Sequence, residues 1–325
     1  MRLLDLVAQS KSAPPDLPGE WPFPSAHHYA AAIRACPLRL VLADDLILCT
    51  TQLAYAEGER LAGCLDLLHV SSQQVWVEWL DATREQALRQ VPYFSVNQFA
   101  SGRQRAGVLI NADLTGRRGS LRTFWSMPNG RVYAGALVTE FDLDSDIRAP
   151  FDLTEAFAGG TVGVVTPEEP SLDALLNHVR FRFDPAWAAY YRCASLSDIE
   201  SLSILRHALG TTAFDLPMVF ALFLLLAAKD GLERRCTDLE RLNHARRRLG
   251  REELLEHIEL RAPIKVKYDH DPLVLDAGDR RSPRLHHVRG HIARRGDKVF
   301  WRSPHLRGSA RLGIVRSRTV ELSFH

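Results

Sequence analysis

Apolar and polar residues alternate along several segments of the first half of the chain, and this pattern predicts β-strands. Strands are expected over residues 38–53, 74–80 and 106–111. Residues 119–141 predict a hairpin, because Pro128, Asn129 and Gly130 near its middle form a typical turn sequence. We therefore expect a β-rich body, mainly antiparallel, with short helices.

The pattern becomes helical after residue 195. Ser197 precedes Asp-Ile-Glu, a typical helix start, and apolar residues then recur at helical spacing to about residue 209. Asp215 is placed to cap a second helix over the apolar run 216–228, which is too short to span a bilayer and predicts a buried helix. A third helix is expected over 238–249, with its leucines facing in and its arginines facing out.

The C-terminal tail predicts a second hairpin, because Gly296 and Asp297 form a two-residue turn that suits type II′ geometry. Closing the turn there pairs Arg295 with Lys298, Ile292 with Trp301 and His291 with Arg302. Side chains alternate between the two faces of a strand. One face then carries the apolar residues Val288, Ile292, Val299 and Trp301. The opposite face carries His287, Arg289, His291 and Arg302. A further strand is expected over residues 312–324.

Composition is ordinary for a globular chain, with 46% hydrophobic and 25% charged residues. The five cysteines are scattered, and no two form a C-x-x-C pair. This spacing argues against a disulfide framework or a cysteine zinc site, so we expect a reducing cytoplasmic location. Residues 1–10 match a signal peptide poorly, because a basic and an acidic residue interrupt a short apolar run, so we expect neither a signal peptide nor membrane association.

Positive charge is concentrated in the tail. Residues 280–318 contain twelve basic residues and one acidic residue, a net charge of +11, whereas the whole chain carries only +2. The remainder is therefore net acidic by nine. Eleven of the twelve basic residues are arginines, whose planar guanidinium groups suit phosphate and carboxylate. This asymmetry favours a polyanionic partner.

Nucleic-acid binding by this basic tail is our main functional hypothesis. Arginine contacts to phosphate give affinity without reading sequence. The predicted contact residues are Arg289, Arg294, Arg295, Arg302, Arg307 and Arg316.

Four other hypotheses use the same region. A metal-independent ribonuclease needs a general acid, a general base and a cation, and His287, His291 and His305 beside the arginines supply these residue types. The same histidines could ligate zinc, but no carboxylate or H-E-x-x-H spacing accompanies them, so we predict no metal and no cofactor. The tail could instead bind an acidic host protein as an inhibitor or interaction module. The histidines would have a purely structural role if they only hydrogen-bond within the tail.

A resemblance follows from particular motifs. The chain resembles a family of phage and prophage proteins in four places. These are the run at residues 75–79, the apolar helix, the Arg-Leu-Asn-His-Ala-Arg sequence at 241–246 and the tail. The sharpest part is His-Val-Arg-Gly-His at 287–291 followed by Trp-Arg-Ser-Pro-His-Leu-Arg-Gly at 301–308. The resemblance implies a mobile-element context and assigns no catalytic roles.

These observations predict an α+β protein in three regions. Residues 1–150 form a β-rich N-terminal region, residues 151–260 a mainly helical region, and residues 261–325 a basic β-rich module. No clear flexible linker separates them, which favours one shared core.

Overall fold

The structure is a computed structural model that describes residues 1–10, 26–89, 102–164, 175–193, 196–228, 232–262, 284–288, 290–302, 305–307 and 309–314. The predicted strand over residues 312–324 lies mostly outside this part of the chain.

The strands, in chain order, are β1 (Leu38–Leu42), β2 (Gln74–Leu80), β3 (Arg105–Ala112), β4 (Arg118–Ser126), β5 (Val132–Asp142), β6 (Val179–Phe183), β7 (Glu233–Cys236), β8 (Ile258–Arg261), β9 (Arg284–Val288), β10 (His291–Arg295), β11 (Lys298–Arg302), β12 (His305–Arg307) and β13 (Ser309–Ile314).

The α-helices are α1 (Leu3–Ala8), α2 (Ala30–Ala35), α3 (Asp44–Ala56), α4 (Gly58–Ala62), α5 (Asp81–Leu88), α6 (Leu153–Ala158), α7 (Pro185–Cys193), α8 (Asp198–Ala213), α9 (Leu216–Ala227) and α10 (Glu240–Arg248). Short 3₁₀ turns occupy Ala26–Tyr29 and Leu65–Leu67.

One large mixed sheet organises the fold. Its strand order is β6-β5-β4-β3-β2-β1-β8-β7. β1 is parallel to both β2 and β8, and the other neighbours are antiparallel. The predicted α+β class is confirmed. The sheet takes β1 to β5 from residues 1–150 and β6 to β8 from residues 151–260, so these two regions meet in one sheet.

The strand predicted over residues 38–53 is wrong beyond Leu42. Asp44 begins α3, and Leu46, Ile47, Thr50 and Ala54 are buried at helical spacing. Two acidic residues in the first turn interact favourably with the positive end of the helix dipole. Parallel strands need a crossover connection, so α3 and α4 account for the parallel pairing of β1 with β2, where an antiparallel body was expected.

Helices cover both faces of the sheet. Val75, Val77 and Trp79 of β2 contribute to the larger hydrophobic core, on the side of α3 and α9. Trp76 contributes to a smaller core on the opposite side, with α1 and α2. Because both faces of β2 are buried, the strand is apolar almost throughout.

Glu78 is the exception within β2, and its carboxylate is fully buried. It accepts hydrogen bonds from the backbone N–H groups of Leu3 and Leu4, at 3.2 and 2.8 Å. Trp76 Nε1 and Arg105 Nη1 also donate to it, at 3.2 and 3.0 Å. These donors compensate the cost of burying the charge and attach α1 to the sheet.

The predicted buried helix is confirmed in α9, whose residues Leu216 to Leu225 are all buried. The stretch Asp198–Ala227 is long and apolar enough to cross a membrane by length and composition, and its most apolar 18-residue window has a mean hydropathy of 1.9. However, 78% of its most apolar window is buried inside the protein, as in a core helix. α8 begins at the predicted helix start, where Ser197 and Glu200 exchange hydrogen bonds in a capping box.

Asp215, at the junction of α8 and α9, belongs to a fully buried ion network with Asp81, Arg84 and Arg103. The carboxylate of Asp215 accepts from Arg84 Nη1 and from Arg103 Nη2, the latter at 3.1 Å. Asp81 pairs with Arg84 at 2.9 Å and with Arg103 at 3.1 Å. The predicted capping role of Asp215 is therefore wrong, because its side chain makes no cap hydrogen bond and pairs with the two guanidinium groups instead.

Burial opposes the charge on Arg103, but Asp215 and Asp81 outweigh this effect and raise the pKa of its guanidinium. The guanidinium of Arg84 also lies 4.6 Å from the ring centre of Phe214, within cation–π range. Two positive and two negative side chains thus join α5, the segment before β3 and the α8–α9 junction.

The predicted inward orientation of the leucines of the third helix is wrong, whereas Arg241, Arg247 and Arg248 are exposed as expected. In α10, Leu242 is 48% exposed and Leu249, just after the helix, is 69% exposed, whereas Asn243 is buried. The Asn243 amide donates to the carbonyl of Leu254 and accepts from its N–H, at 2.9 and 2.8 Å. The buried side of the helix is therefore the side of Asn243, which makes a polar contact. The positions of the leucines do not indicate this side.

Candidate nucleic-acid interface

The predicted C-terminal hairpin is confirmed with its register. β10 and β11 are antiparallel, and His291 pairs with Arg302, Ile292 with Trp301, and Arg295 with Lys298. Gly296 has φ +59°, the positive value that a type II′ turn requires at its first central residue. A side chain there would be strained, so glycine fixes this register.

The inner face of the hairpin packs on the body. Ile292, Val299 and Trp301 are buried and belong to the larger hydrophobic core. The hairpin is therefore attached to the same core as the large sheet. This attachment leaves the opposite face of the two strands directed away from that core.

Arg294 also lies on the inner face, because it pairs with Val299 across the strands. Its Nη1 and Nη2 atoms each donate to Asp66, at 2.7 Å, and Nη1 also donates to the carbonyl of Gly63 at 2.8 Å. Hydrogen bonds from Arg294 lower the pKa of the Asp66 carboxyl. The guanidinium predicted to contact nucleic acid is thus engaged with a carboxylate of the body.

We call the opposite side the outer face, and it comprises His291, Ala293, Arg295, Lys298, Phe300 and Arg302. Arg295, Lys298 and Arg302 are exposed, and the other three residues are half-buried. None of the described residues on this face is acidic, and Asp297 lies in the turn. The outer face therefore presents three positive charges on a short two-stranded ribbon.

Sequence reasoning missed two candidate site residues of the outer face. Lys298 and Phe300 were not assigned to it, although the predicted register already places them there by strict alternation. Ala293 pairs with Phe300, so the residue directly opposite the aromatic ring is small. The small residue directly opposite the Phe300 ring lies between His291 and Arg295 on the same face.

The expected continuous strand through His287 and His291 is divided. β9 ends at Val288 and β10 begins at His291, and they belong to different sheets. β9 pairs with β12, which places His305 opposite Val288 and Leu306 opposite His287. The backbones of His287 and His305 are thus neighbours in one sheet, whereas His291 lies in the other.

Several predicted residues have no side-chain description. The side chains of His287, His305 and Arg307 lie outside the described part, and so do Arg289 and Arg316 altogether. The paired-imidazole hypothesis remains a prediction for this reason. Among the described residues, no group of three or more His, Cys, Asp or Glu side chains is arranged to hold a metal ion.

Comparison with known proteins adds no assignment. No family model, curated protein or solved structure matches this chain. The geometry of the hairpin is therefore the basis for assigning a function.

Proposed function

We propose that the protein binds nucleic acid through the outer face of the C-terminal hairpin. Arg295, Lys298 and Arg302 would contact backbone phosphates, because three exposed cations on one face of the hairpin can contact several phosphates of one polymer at the same time. Binding of this kind gives affinity without sequence recognition.

The observation that carries the proposal is the direct pairing of Arg295 with Lys298 across the strands. Like charges at opposed positions destabilise a two-stranded ribbon, so this arrangement does not serve the hairpin itself. An anionic ligand would relieve the repulsion when it binds. The same reasoning does not apply to Arg294, whose charge is balanced by Asp66, and we assign Arg294 to anchoring the hairpin.

Phe300 favours a single-stranded ligand. A half-buried aromatic ring surrounded by cations resembles the stacking surfaces of proteins that bind single strands, where each stacked base contributes about 1–3 kcal/mol. Bases in a duplex are already stacked and would not reach the ring. Arg289, Arg307 and Arg316 belong to the same basic tail, and we propose that they extend the phosphate contacts.

The test is a fluorescence-anisotropy titration with labelled single-stranded RNA and DNA over a range of salt concentrations. The triple variant Arg295→Ser, Lys298→Ser, Arg302→Ser should bind more weakly for unrelated sequences. Its salt slope should fall by about 2, because each lost phosphate contact on a single strand contributes roughly 0.7. Phe300→Leu should weaken binding to single strands and spare binding to duplexes.

The matched control removes three exposed arginines elsewhere, with Arg60→Ser, Arg118→Ser and Arg235→Ser. This control loses the same net charge and should keep most of the affinity. Absence of any complex at low salt would overturn the proposal, and so would equal losses in the two triple variants.

An acidic host protein is the alternative partner for the same charges. Capture from a lysate with and without nuclease treatment separates the two, because only a nucleic-acid complex disappears. The resemblance to phage and prophage proteins supports action in a cell that carries a mobile element. Cys36, Cys49, Cys64 and Cys236 are free thiols, which supports a reducing cytoplasmic location.

A further inference from the structure

A concave cleft of about 630 Å³ opens between the large sheet and helices α7 and α8. Its volume lies in the range typical of small-molecule sites. Six residues define what we call the aromatic cleft: Trp125, Tyr133, Trp187, Tyr191, Glu200 and His207. It lies apart from the hairpin in sequence and uses none of the hairpin residues.

Two stacked aromatic pairs line the aromatic cleft. Trp125 of β4 and Tyr133 of β5 are cross-strand partners, with ring centres 5.9 Å apart and planes 24° apart. Trp187 and Tyr191 are one turn apart on α7, with centres 5.2 Å apart and planes 22° apart. Near-parallel rings on fixed elements provide flat surfaces that need no rearrangement to stack on a planar ligand.

Exposure separates the roles of the two pairs. Trp187 and Tyr191 are only 2% and 8% exposed, so they form the floor and rigid support of the cleft. Trp125 and Tyr133 are half-buried and present part of their rings at the opening. The surface available to a ligand is therefore mainly that of the strand pair.

A polar stripe along α8 forms the third side. Glu200, Ser203, His207 and Thr211 recur at spacings of three and four residues, which places them on one helix face. The hydroxyl of Thr211 donates to the carbonyl of His207 at 2.8 Å. The Ser203 hydroxyl and the His207 imidazole bring hydrogen-bonding groups to the edge of an otherwise apolar surface.

The charge of the lining discriminates between ligands. Among the described residues that line the cleft, Glu200 is the only carboxylate, and none is lysine or arginine. Hydrogen bonds from the Ser197 backbone N–H and hydroxyl lower the pKa of Glu200, so it is anionic at neutral pH. A phosphate or carboxylate group would find no cationic partner and one repelling charge.

We propose that the aromatic cleft binds an uncharged planar heteroaromatic ligand of the nucleoside class. The ring stacks on the Trp125–Tyr133 pair, while Ser203 and His207 hydrogen-bond to the polar edge of the base or to the sugar hydroxyls. Flat apolar walls, a few convergent polar groups and the lack of a cationic residue in the described lining select such a ligand over its phosphorylated form.

The experiment is equilibrium dialysis of the full chain with adenosine, guanosine, cytidine and uridine and with their 5′-monophosphates. At least one nucleoside should bind, and its monophosphate should bind more weakly. Trp125→Leu should weaken nucleoside binding roughly tenfold, the effect expected from losing one stacking partner. Glu200→Gln keeps the capping box and removes the negative charge, so it should reduce the difference in affinity between a nucleoside and its monophosphate.

His244→Ala is the matched control for His207→Ala, since it removes another exposed helical histidine that does not line the cleft, and it should leave nucleoside binding unchanged. Trp125 and His207 lie outside the hairpin, so failure at one site leaves the other intact. Thermal melts verify folding, and His207→Ala, at an exposed position, serves as a second variant if Trp125→Leu unfolds. The proposal is overturned if no nucleoside binds, if monophosphates bind as tightly, or if a folded Trp125→Leu and His207→Ala both bind like wild type.

Discussion

Asp215→Ala should be among the most destabilising single substitutions in this protein. Asp215 is fully buried and pairs with both Arg84 and Arg103, whose side chains are 0% and 3% exposed. Its removal leaves Asp81 as the remaining carboxylate of the network, so one positive charge stays buried without a counter-charge. Breaking a buried pair in this way costs about 3–5 kcal/mol.

An exposed ion pair provides the internal reference. Glu57 and Arg60 are 2.8 Å apart, as close as the buried pairs, but their side chains are 24% and 55% exposed. Solvent screens such a pair, so Glu57→Ala should cost at most about 1 kcal/mol. The two substitutions remove the same kind of contact and differ mainly in burial.

Urea unfolding followed by circular dichroism measures both changes. The double variant Arg84→Met, Asp215→Leu should be less destabilised than Asp215→Ala, because it removes one charge of each sign and leaves Arg103 paired with Asp81. Our reasoning about burial would be refuted if Asp215→Ala lost no more stability than Glu57→Ala.

Three further predictions concern the hairpin and the thiols. Because hydrogen bonds from Arg294 lower the pKa of Asp66, the contribution of this ion pair to the attachment of the hairpin is fully present above the ordinary aspartate value of 3.8 and is lost as pH falls through the lower folded-state pKa. In wild type, the hydrogen-exchange protection of residues 291–302 should therefore decrease as pH falls through the pKa of Asp66. In Asp66→Asn the protection should be reduced already at pH 7. Trp301→Ala should destabilise the protein by about 3–5 kcal/mol in thermal melts, because Trp301 is buried. His291 is half-buried on the outer face, so His291→Ala should lower the melting temperature less. An equal decrease for the two variants would contradict the outward placement of His291. Burial raises the pKa of the Cys49 thiol to about 12, so mass-spectrometric mapping after brief alkylation should find exposed Cys236 labelled well before Cys49.

Local patterns allowed the sequence to predict the parts of the fold that depend on near neighbours. The β10–β11 register follows from Gly296 and from alternation over a few residues, and the β4–β5 hairpin likewise follows from the turn at Gly130, which has φ +80°. The capping box at Ser197 is also local. Each of these features depends on contacts between residues close together in the chain.

Features that depend on distant partners were not predictable from the same patterns. Asp215 looked like a helix cap because its partners, Arg84 and Arg103, are more than a hundred residues away. The aromatic cleft combines β4, β5, α7 and α8, and nothing in the spacing of Trp125 and Trp187 indicates that they share a surface. The α3 helix is different, since its apolar positions recur at helical spacing in the sequence. The strand-like composition of the same residues led to the wrong prediction of a strand.

The buried ion network also constrains how this sequence can diverge. A single replacement at residue 81, 84, 103 or 215 leaves a charge without its partner inside the core, so variation at these positions should occur in matched steps. A related chain with an apolar residue in place of Arg84 is expected to lack one of the two carboxylates as well. The four positions, separated by up to 134 residues, should therefore covary as one unit and help to recognise distant members of the same lineage.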